Sequence, residues 1–292
     1  MLGPADVLAD ELDARLSTLA EHVSGATLGV SVYDYLTGGG SCFNGDRWFH
    51  AASTIKVPVL IALFDAIDQG RFALNARLHV RNRFLSVADG APYRIDPSRD
   101  ADSEVHDARG RTMRLRELAQ RMIVRSSNLA TNLLVDLLGV AGIHASLRAL
   151  GIQGVDFRRG VEDDRAFDSG ISNRITPNGA MAVMRAIVGS PLLSPEASTR
   201  MIDILLAQQF AGTIGPGLPD NIRSSARVAH KTGDISTASH DVGIVFLPGR
   251  PPYIAGIFVE SSGDPRDRVA LGVKASAVVY EAIAAAGEGA RR

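Results

Sequence analysis

The chain has 292 residues, 46% of them hydrophobic, with 31 basic against 32 acidic side chains and a formal net charge of −1 at pH 7. That size and apolar content can bury a sizeable core, as one large domain or two interleaved ones. The balanced charge, with no long run of one sign, offers no footprint for nucleic acid or an anionic membrane surface. A lone cysteine, Cys42, excludes an internal disulfide, and its neighbours read as a buried strand position.

From Ala5 to His22 the residues Val7, Leu8, Leu12, Leu16 and Leu19 recur at helical spacing and predict an amphipathic helix. Within the first eleven residues there is neither a basic stretch nor an uninterrupted apolar run, and no later run reaches membrane-spanning length. The expectation is therefore a soluble chain, cytoplasmic as written, or periplasmic or secreted if a leader was removed. Ala26 to Leu36, rich in Val and Tyr, reads as a strand, Thr37-Gly38-Gly39-Gly40 as a hairpin turn, and Ser41 to Phe49 as the returning strand. Ser53 or Thr54 is expected to cap the next helix, which carries Pro58 in its first turn and ends near Gln69 at Gly70.

Leu74 to Thr112 is a polar stretch crowded with Arg, Asp, Pro and Gly, with only a short strand signal near Leu78 to Val80, read as a solvated insertion or a functional loop overhanging a site. Helical periodicity returns over 115–124, 129–138 and 143–150, and Thr176-Pro177 and Ser194-Pro195 open two further helices. Residues 227–232, 241–247 and 253–260 read as strands before a closing helix over about 269–285. Strands at both ends and helices between them imply an α/β body built from residues 1–51 and 214–292. Residues 52–213 would form an inserted all-α domain.

The chemistry centres on Ser53-Thr54-Ile55-Lys56. On a helix, side chains three apart share a face, so the Lys56 amine can reach the Ser53 hydroxyl. A serine becomes a nucleophile when a neighbour takes its proton, and the apolar residues around Lys56 favour the uncharged amine that can do so. Only three lysines occur, Lys56, Lys231 and Lys274, against 28 arginines, whose guanidinium cannot give up its proton at working pH. The seven histidines form no ligand pair, and neither a phosphate loop nor a nucleophile elbow is present, so no metal and no cofactor is expected. The adjacent His240-Asp241 leaves a Ser-His-Asp triad as a disfavoured alternative.

Two further motifs follow in order: Arg125-Ser126-Ser127-Asn128 between two helices, and His230-Lys231-Thr232-Gly233 at the end of a strand. With Ser53-x-x-Lys56 these resemble the three motifs of serine β-lactamases and penicillin-binding proteins, most closely the class A β-lactamases. The resemblance covers nearly the whole chain. It implies an antiparallel sheet flanked by helices with an inserted helical domain, and a serine hydrolase that forms an acyl-enzyme on Ser53. Lys56 would accept or relay the proton, Ser126 would pass one to the leaving group, and Lys231 would keep the site positive. Asn128 would bind Lys56 and a substrate amide, Thr232 a substrate carboxylate, and the peptide from Gly233 to Asp234 would add an oxyanion-hole N–H to that of Ser53.

Two departures stand out. The family's central aspartate is Ser127 here, which removes an anion that steadies the loop. Glu162 is spaced from Ser126 as the family's deacylating base is, but the asparagine that follows that base by four residues is Ala166. Glu162 therefore reads either as a general base or as a salt-bridged loop acid. The alternatives to a β-lactam, amide or ester hydrolase are a D,D-peptidase or esterase of the same fold, and a penicillin-binding sensor acylated without turnover. The expected partner is a small-molecule substrate, with no nucleic acid and no membrane, and the chain is expected to be a monomer.

Overall fold

The computed structural model describes residues 4–289 of the chain. It runs through helix α1 (Pro4–Glu21), strands β1 (Thr27–Asp34) and β2 (Gly39–Phe43), and a 3-10 turn (Ala52–Ile55) that leads directly into α2 (Lys56–Asp68). Helices α3 (Leu115–Val124), α4 (Asn128–Leu138), α5 (Val140–Ala149), α6 (Pro177–Gly189) and α7 (Pro195–Leu206) follow. Strands β3 (Arg227–Ile235), β4 (Ala238–Phe246) and β5 (Tyr253–Glu260) precede the closing helix α8 (Pro265–Gly289). Part of the leader reading falls on residues 1–3, which lie outside the described residues.

The chain divides into two units. The first joins the segment up to Thr54, the segment from Ala211 onward and Ile175–Arg185; the second holds Ile55–Arg174 and Ala186–Phe210. Ile175–Arg185 was expected in the helical domain but groups with the first unit, to which Asn178 ties it. Asn178 accepts from Ser31 Oγ at 2.7 Å and donates its backbone N–H to Gly45 O at 2.9 Å.

The first unit is built on a five-stranded antiparallel sheet in the order β3-β4-β5-β1-β2. Its central strands β4 and β5 are buried almost without interruption, as befits strands covered on both faces. On one face Leu16 of α1 and Leu271, Ala275 and Val279 of α8 pack with Val30, Val32, Ala255 and Ile257. Strand β2 lies at the edge, and there Cys42 is exposed rather than buried as expected, its Sγ accepting from Asn178 Nδ2 at 3.9 Å. Contrary to the reading that no run reaches membrane-spanning length, α8 is long and apolar enough to cross a membrane by length and composition. Its apolar side is instead spent on the sheet.

In the second unit α2 is the central element. Every residue from Lys56 to Ala66 is buried, and α3, α4, α5 and α7 pack around it, which is why its sequence is apolar all round rather than striped. The cap position of α2 falls on Ile55 and not on Ser53 or Thr54 as expected. Thr54 Oγ1 donates to Ala51 O at 2.5 Å, and Ile55, at the cap position, supplies no side-chain bond. A preceding 3-10 turn supplies the entry instead.

The 74–112 stretch is mostly exposed, but it is ordered by short elements and buried anchors of its own. Arg77–His79 pairs with Thr112–Arg114, Phe84–Leu85 pairs with Pro92–Tyr93, and Ser103–Asp107 forms a helical turn. Val80, Phe84, Ile95 and Val105 are buried beneath them. The strand signal near Leu78 to Val80 matches Arg77–His79, while the other strands, of two or three residues, leave no periodicity long enough to recognise in a sequence.

Gly29, on β1, shows how closely the first unit is packed. A Cβ there would lie 2.6 Å from the Phe49 ring and 2.9 Å from Pro177 Cγ. Gly29→Ala is expected to destabilise the protein by about 1–3 kcal/mol through overpacking; a urea melt with an unshifted midpoint would contradict this.

Candidate active site

Lys56, the first residue of α2, is fully buried, and a buried amine needs polar partners. It finds them across the unit: Nζ donates to Ser126 O at 2.6 Å and to Asn128 Oδ1 at 2.8 Å, and lies 3.0 Å from Ser126 Oγ. An ammonium can donate to all three oxygens. A neutral amine can donate to the two carbonyl oxygens and accept from the hydroxyl, so the same cage serves both ends of a proton transfer.

Ser126 can present both its carbonyl and its hydroxyl because it holds a left-handed backbone, φ 56°. Only four non-glycine residues among those described have positive φ: Asn44, Ala52, Ser126 and Glu162. Ala52 adjoins Ser53, and Ser126 and Glu162 are candidate site residues themselves. Such geometry costs on the order of 1–2 kcal/mol for an L-residue, so the surroundings must enforce it.

Asn128 links two candidate roles. Its Oδ1 accepts from Lys56 while its Nδ2 donates to Glu162 Oε1 at 3.2 Å. Burial raises the Glu162 carboxyl above the ordinary glutamate range, with Arg99 and Lys56 pulling it down and Asp164 pushing it up. Arg99 pairs with Glu162 Oε2 at 2.5 Å and Asp164 Oδ2 at 2.7 Å. The loop bearing Glu162 is pinned from beneath by Asn132, one turn beyond Asn128 on α4. Asn132 Oδ1 accepts from Val161 N–H at 2.7 Å, and its Nδ2 donates to Val161 O at 2.9 Å. Gly160 precedes that contact because no side chain fits: a Cβ would come within 2.7 Å of Asn132 Oδ1 and 2.8 Å of Tyr93 Oη. At its neck Asn173 Oδ1 accepts the Arg158 and Arg159 amides. Ala166 is fully buried and brings no polar atom toward Glu162.

Ser127, where the resemblance led us to expect a missing anion and a looser loop, caps α4: its Oγ accepts from Ala130 N–H at 3.2 Å. The negative charge has been moved, not lost. Asp100, its side chain wholly enclosed, accepts the Asn128 N–H at 3.1 Å and the Leu129 N–H at 2.9 Å. The first three amides of α4 are thus all satisfied, two of them by a carboxylate at the positive end of the helix dipole. Side-chain capping of this kind is worth about 0.5–2 kcal/mol.

The first unit carries Ser53 and strand β3. Gly233 lies directly against the Ser53–Thr54 turn, where a Cβ would come within 2.9 Å of Thr54 Cγ2 and 3.1 Å of the Thr54 amide. The peptide leading to Asp234 is thereby brought alongside the serine's own helical turn. Lys231 is fully buried; desolvation lowers its ammonium to about 8, with Asp241 and Asp234 opposing. Thr232 is buried beside it and accepts from Lys231 Nζ through its carbonyl at 2.8 Å. The adjacent His240 and Asp241 point to opposite faces of β4. Asp241 Oδ1 pairs with His230 Nδ1 at 2.8 Å, and Asp241 Oδ2 accepts the Thr213 and Ile214 amides. His240 contacts His50 O and accepts the Val259 amide, and burial lowers it to about 4. They form no His240-Asp241 dyad.

A family model described as the β-lactamase enzyme family matches residues 10–283. The chain belongs to that family. It is 28% identical over 266 residues to a β-lactamase of Rhodobacter capsulatus, covering 89% of this chain and 85% of that protein. It is also 28% identical over 267 residues to one of Kitasatospora aureofaciens, covering 88% and 80%. Among solved structures, an ancestral class A β-lactamase matches with a TM-score of 0.78 and 28% identity over 93% of this chain and 99% of that one. A PBP-A mutant captured as an acyl-enzyme complex with penicillin G matches with a TM-score of 0.78 and 29% identity over 94% and 97%. The fold is that of the class A enzymes, and the chain is a serine hydrolase of β-lactamase type.

Within the second unit Lys56, Ser126, Asn128 and Glu162 meet; within the first, the residues on either side of Ser53, Ala52 and Thr54, lie against Gly233 of the strand that carries Lys231, Thr232 and Asp234. Sequence reasoning missed Asn132, Arg99 and Asp100. Asn132 left a signal, as a polar residue four positions after Asn128 on an apolar helix. Arg99 and Asp100 left none among the charges around them. Because Lys231 loses its proton near pH 8, any step that uses its charge should slow as pH rises through that value. Acylation rates measured from pH 6 to 10 should show that alkaline limb; a flat profile would exclude a charged Lys231 from the step.

Proposed function

We propose that this hydrolase opens a β-lactam ring, or a related amide or ester, in two steps through Ser53. In the first, Ser53 Oγ attacks the carbonyl carbon while Lys56, three residues along the same helical path, takes its proton. The oxyanion is held by the Ser53 and Asp234 amides. The C–N bond breaks, and Ser126 returns a proton to the leaving nitrogen. In the second, Glu162 removes a proton from water, the resulting oxygen attacks the acyl carbon, and Ser53 leaves with a proton regained. Lys231 and Thr232 supply charge and a hydroxyl for an anionic substrate group.

The observation that carries this reading is the Asn128 side chain, which hydrogen-bonds both the acylation base and the release base. Glu162 raised by burial suits proton abstraction near neutral pH. With Ala166 in the place of the family's asparagine, the hydrolytic water has one polar holder fewer, so release of the acyl group limits turnover.

Time-resolved intact-mass spectrometry with penicillin G tests the scheme. An adduct on Ser53 should form early and decay as product accumulates, and Ser53→Ala should form none. In Glu162→Gln the adduct should persist, with release slowed by about 10²–10⁴-fold, the usual reach of general-base catalysis. No adduct on the parent protein would sink the acylation step; unchanged release in Glu162→Gln would sink the role of the glutamate.

A further inference from the structure

We infer that Asp100 is a positioning residue for acylation, the buried anion that sets the Ser126–Asn128 turn from a separate segment of chain. Its carboxylate makes every contact such a role requires. Oδ1 accepts the Asn128 N–H at 3.1 Å and the Asp102 N–H at 3.2 Å. Oδ2 accepts the Leu129 N–H at 2.9 Å and the Ser127 hydroxyl at 3.3 Å, and lies 3.0 Å from His106 Nε2. No part of its side chain is exposed, and His106 is buried with it.

The geometry gives this anion leverage on the chemistry. It grips the amides of Asn128 and Leu129, the first two residues of α4, and the hydroxyl of Ser127 before them. The Asn128 side chain is thereby fixed where its Oδ1 meets Lys56 and its Nδ2 meets Glu162. Ser126, whose left-handed backbone must be enforced from outside, is followed directly by a residue tied to the same carboxylate. Arg99, next to Asp100, reaches Glu162, and the carbonyl of Arg99 accepts from Asn128 Nδ2 at 3.2 Å. One dipeptide therefore braces both the acylation turn and the release base. Asp100 touches no reacting atom and acts only through the groups it holds.

A carboxylate at position 127 would stand at the helix cap itself, within reach of the same amides, so the charge can be moved back along the chain. The inference rests on the Ser53 reading for its activity readout, and the test separates the two. In Asp100→Asn, amide hydrogen exchange at Asn128 and Leu129 should accelerate. Acylation by a fluorescent penicillin should slow by at least about tenfold, mainly in the limiting rate rather than in the concentration for half-saturation, as expected for misplacement of a reacting group. In Asp100→Asn with Ser127→Asp, both slow exchange and most of the lost rate should return. If Asp100→Asn alone does not fold, the double variant carries the test, since it must fold and acylate. Unchanged exchange and rate in folded Asp100→Asn would overturn the inference, as would a double variant that regains thermal stability but not acylation. A parent protein that takes up no penicillin would refute the Ser53 reading, while the exchange measurement still judges Asp100.

Discussion

The constraint on which the second unit turns is the burial of a lysine amine. Lys56 opens the most enclosed helix of that unit, where an unpartnered amine would cost several kcal/mol. Its solution is three oxygens from a single turn, and those oxygens converge only if Ser126 adopts a backbone that L-residues avoid. That turn in turn depends on the start of α4, whose free amides are held by Ser127 and Asp100. Polar burial, backbone strain and helix capping are links of one chain of dependence, and the candidate chemistry sits at its end.

The same economy explains how the fold tolerates a departure from its relatives' pattern. A hydroxyl at position 127 can cap one amide but carries no charge. The helix end still favours an anion, and a residue from the 74–112 stretch provides it. What the sequence shows as a loss is, in space, a change of donor. At Ala166, by contrast, the side chain is buried and apolar, and Glu162 leans on Arg99, Asn128 and the Asn132-pinned backbone before it. The two halves of the proposed reaction are thus unequally equipped.

In the first unit the decisive features are close approaches. Gly29 yields space to Phe49 and Pro177, and Gly233 lets β3 run against the serine's turn. Neither glycine has a positive φ; each is required by the absence of room for one carbon atom. Lys231 and Asp241 show how this unit keeps polar groups in its core, the first bonded to the Thr232 carbonyl and the second to His230 and two backbone amides.

By itself the sequence determined the elements and the motifs. Apolar periodicity marked α3 and β5 to the residue, and the order of Ser53-x-x-Lys56, Ser126-Ser127-Asn128 and Lys231-Thr232-Gly233 pointed to the family. These are local signals, carried by spacing along the chain. Only tertiary structure decided that Asp100 stands in for an anion absent at 127, that Arg99 and Asn132 hold the Glu162 loop, and that Asp241 pairs with His230 rather than anything of His240. Each of those pairings joins residues 11 to 63 positions apart, or depends on which face of a strand a side chain occupies. A polar residue's partner is chosen by the folded path of the backbone, and a sequence records the residue without recording what it will meet.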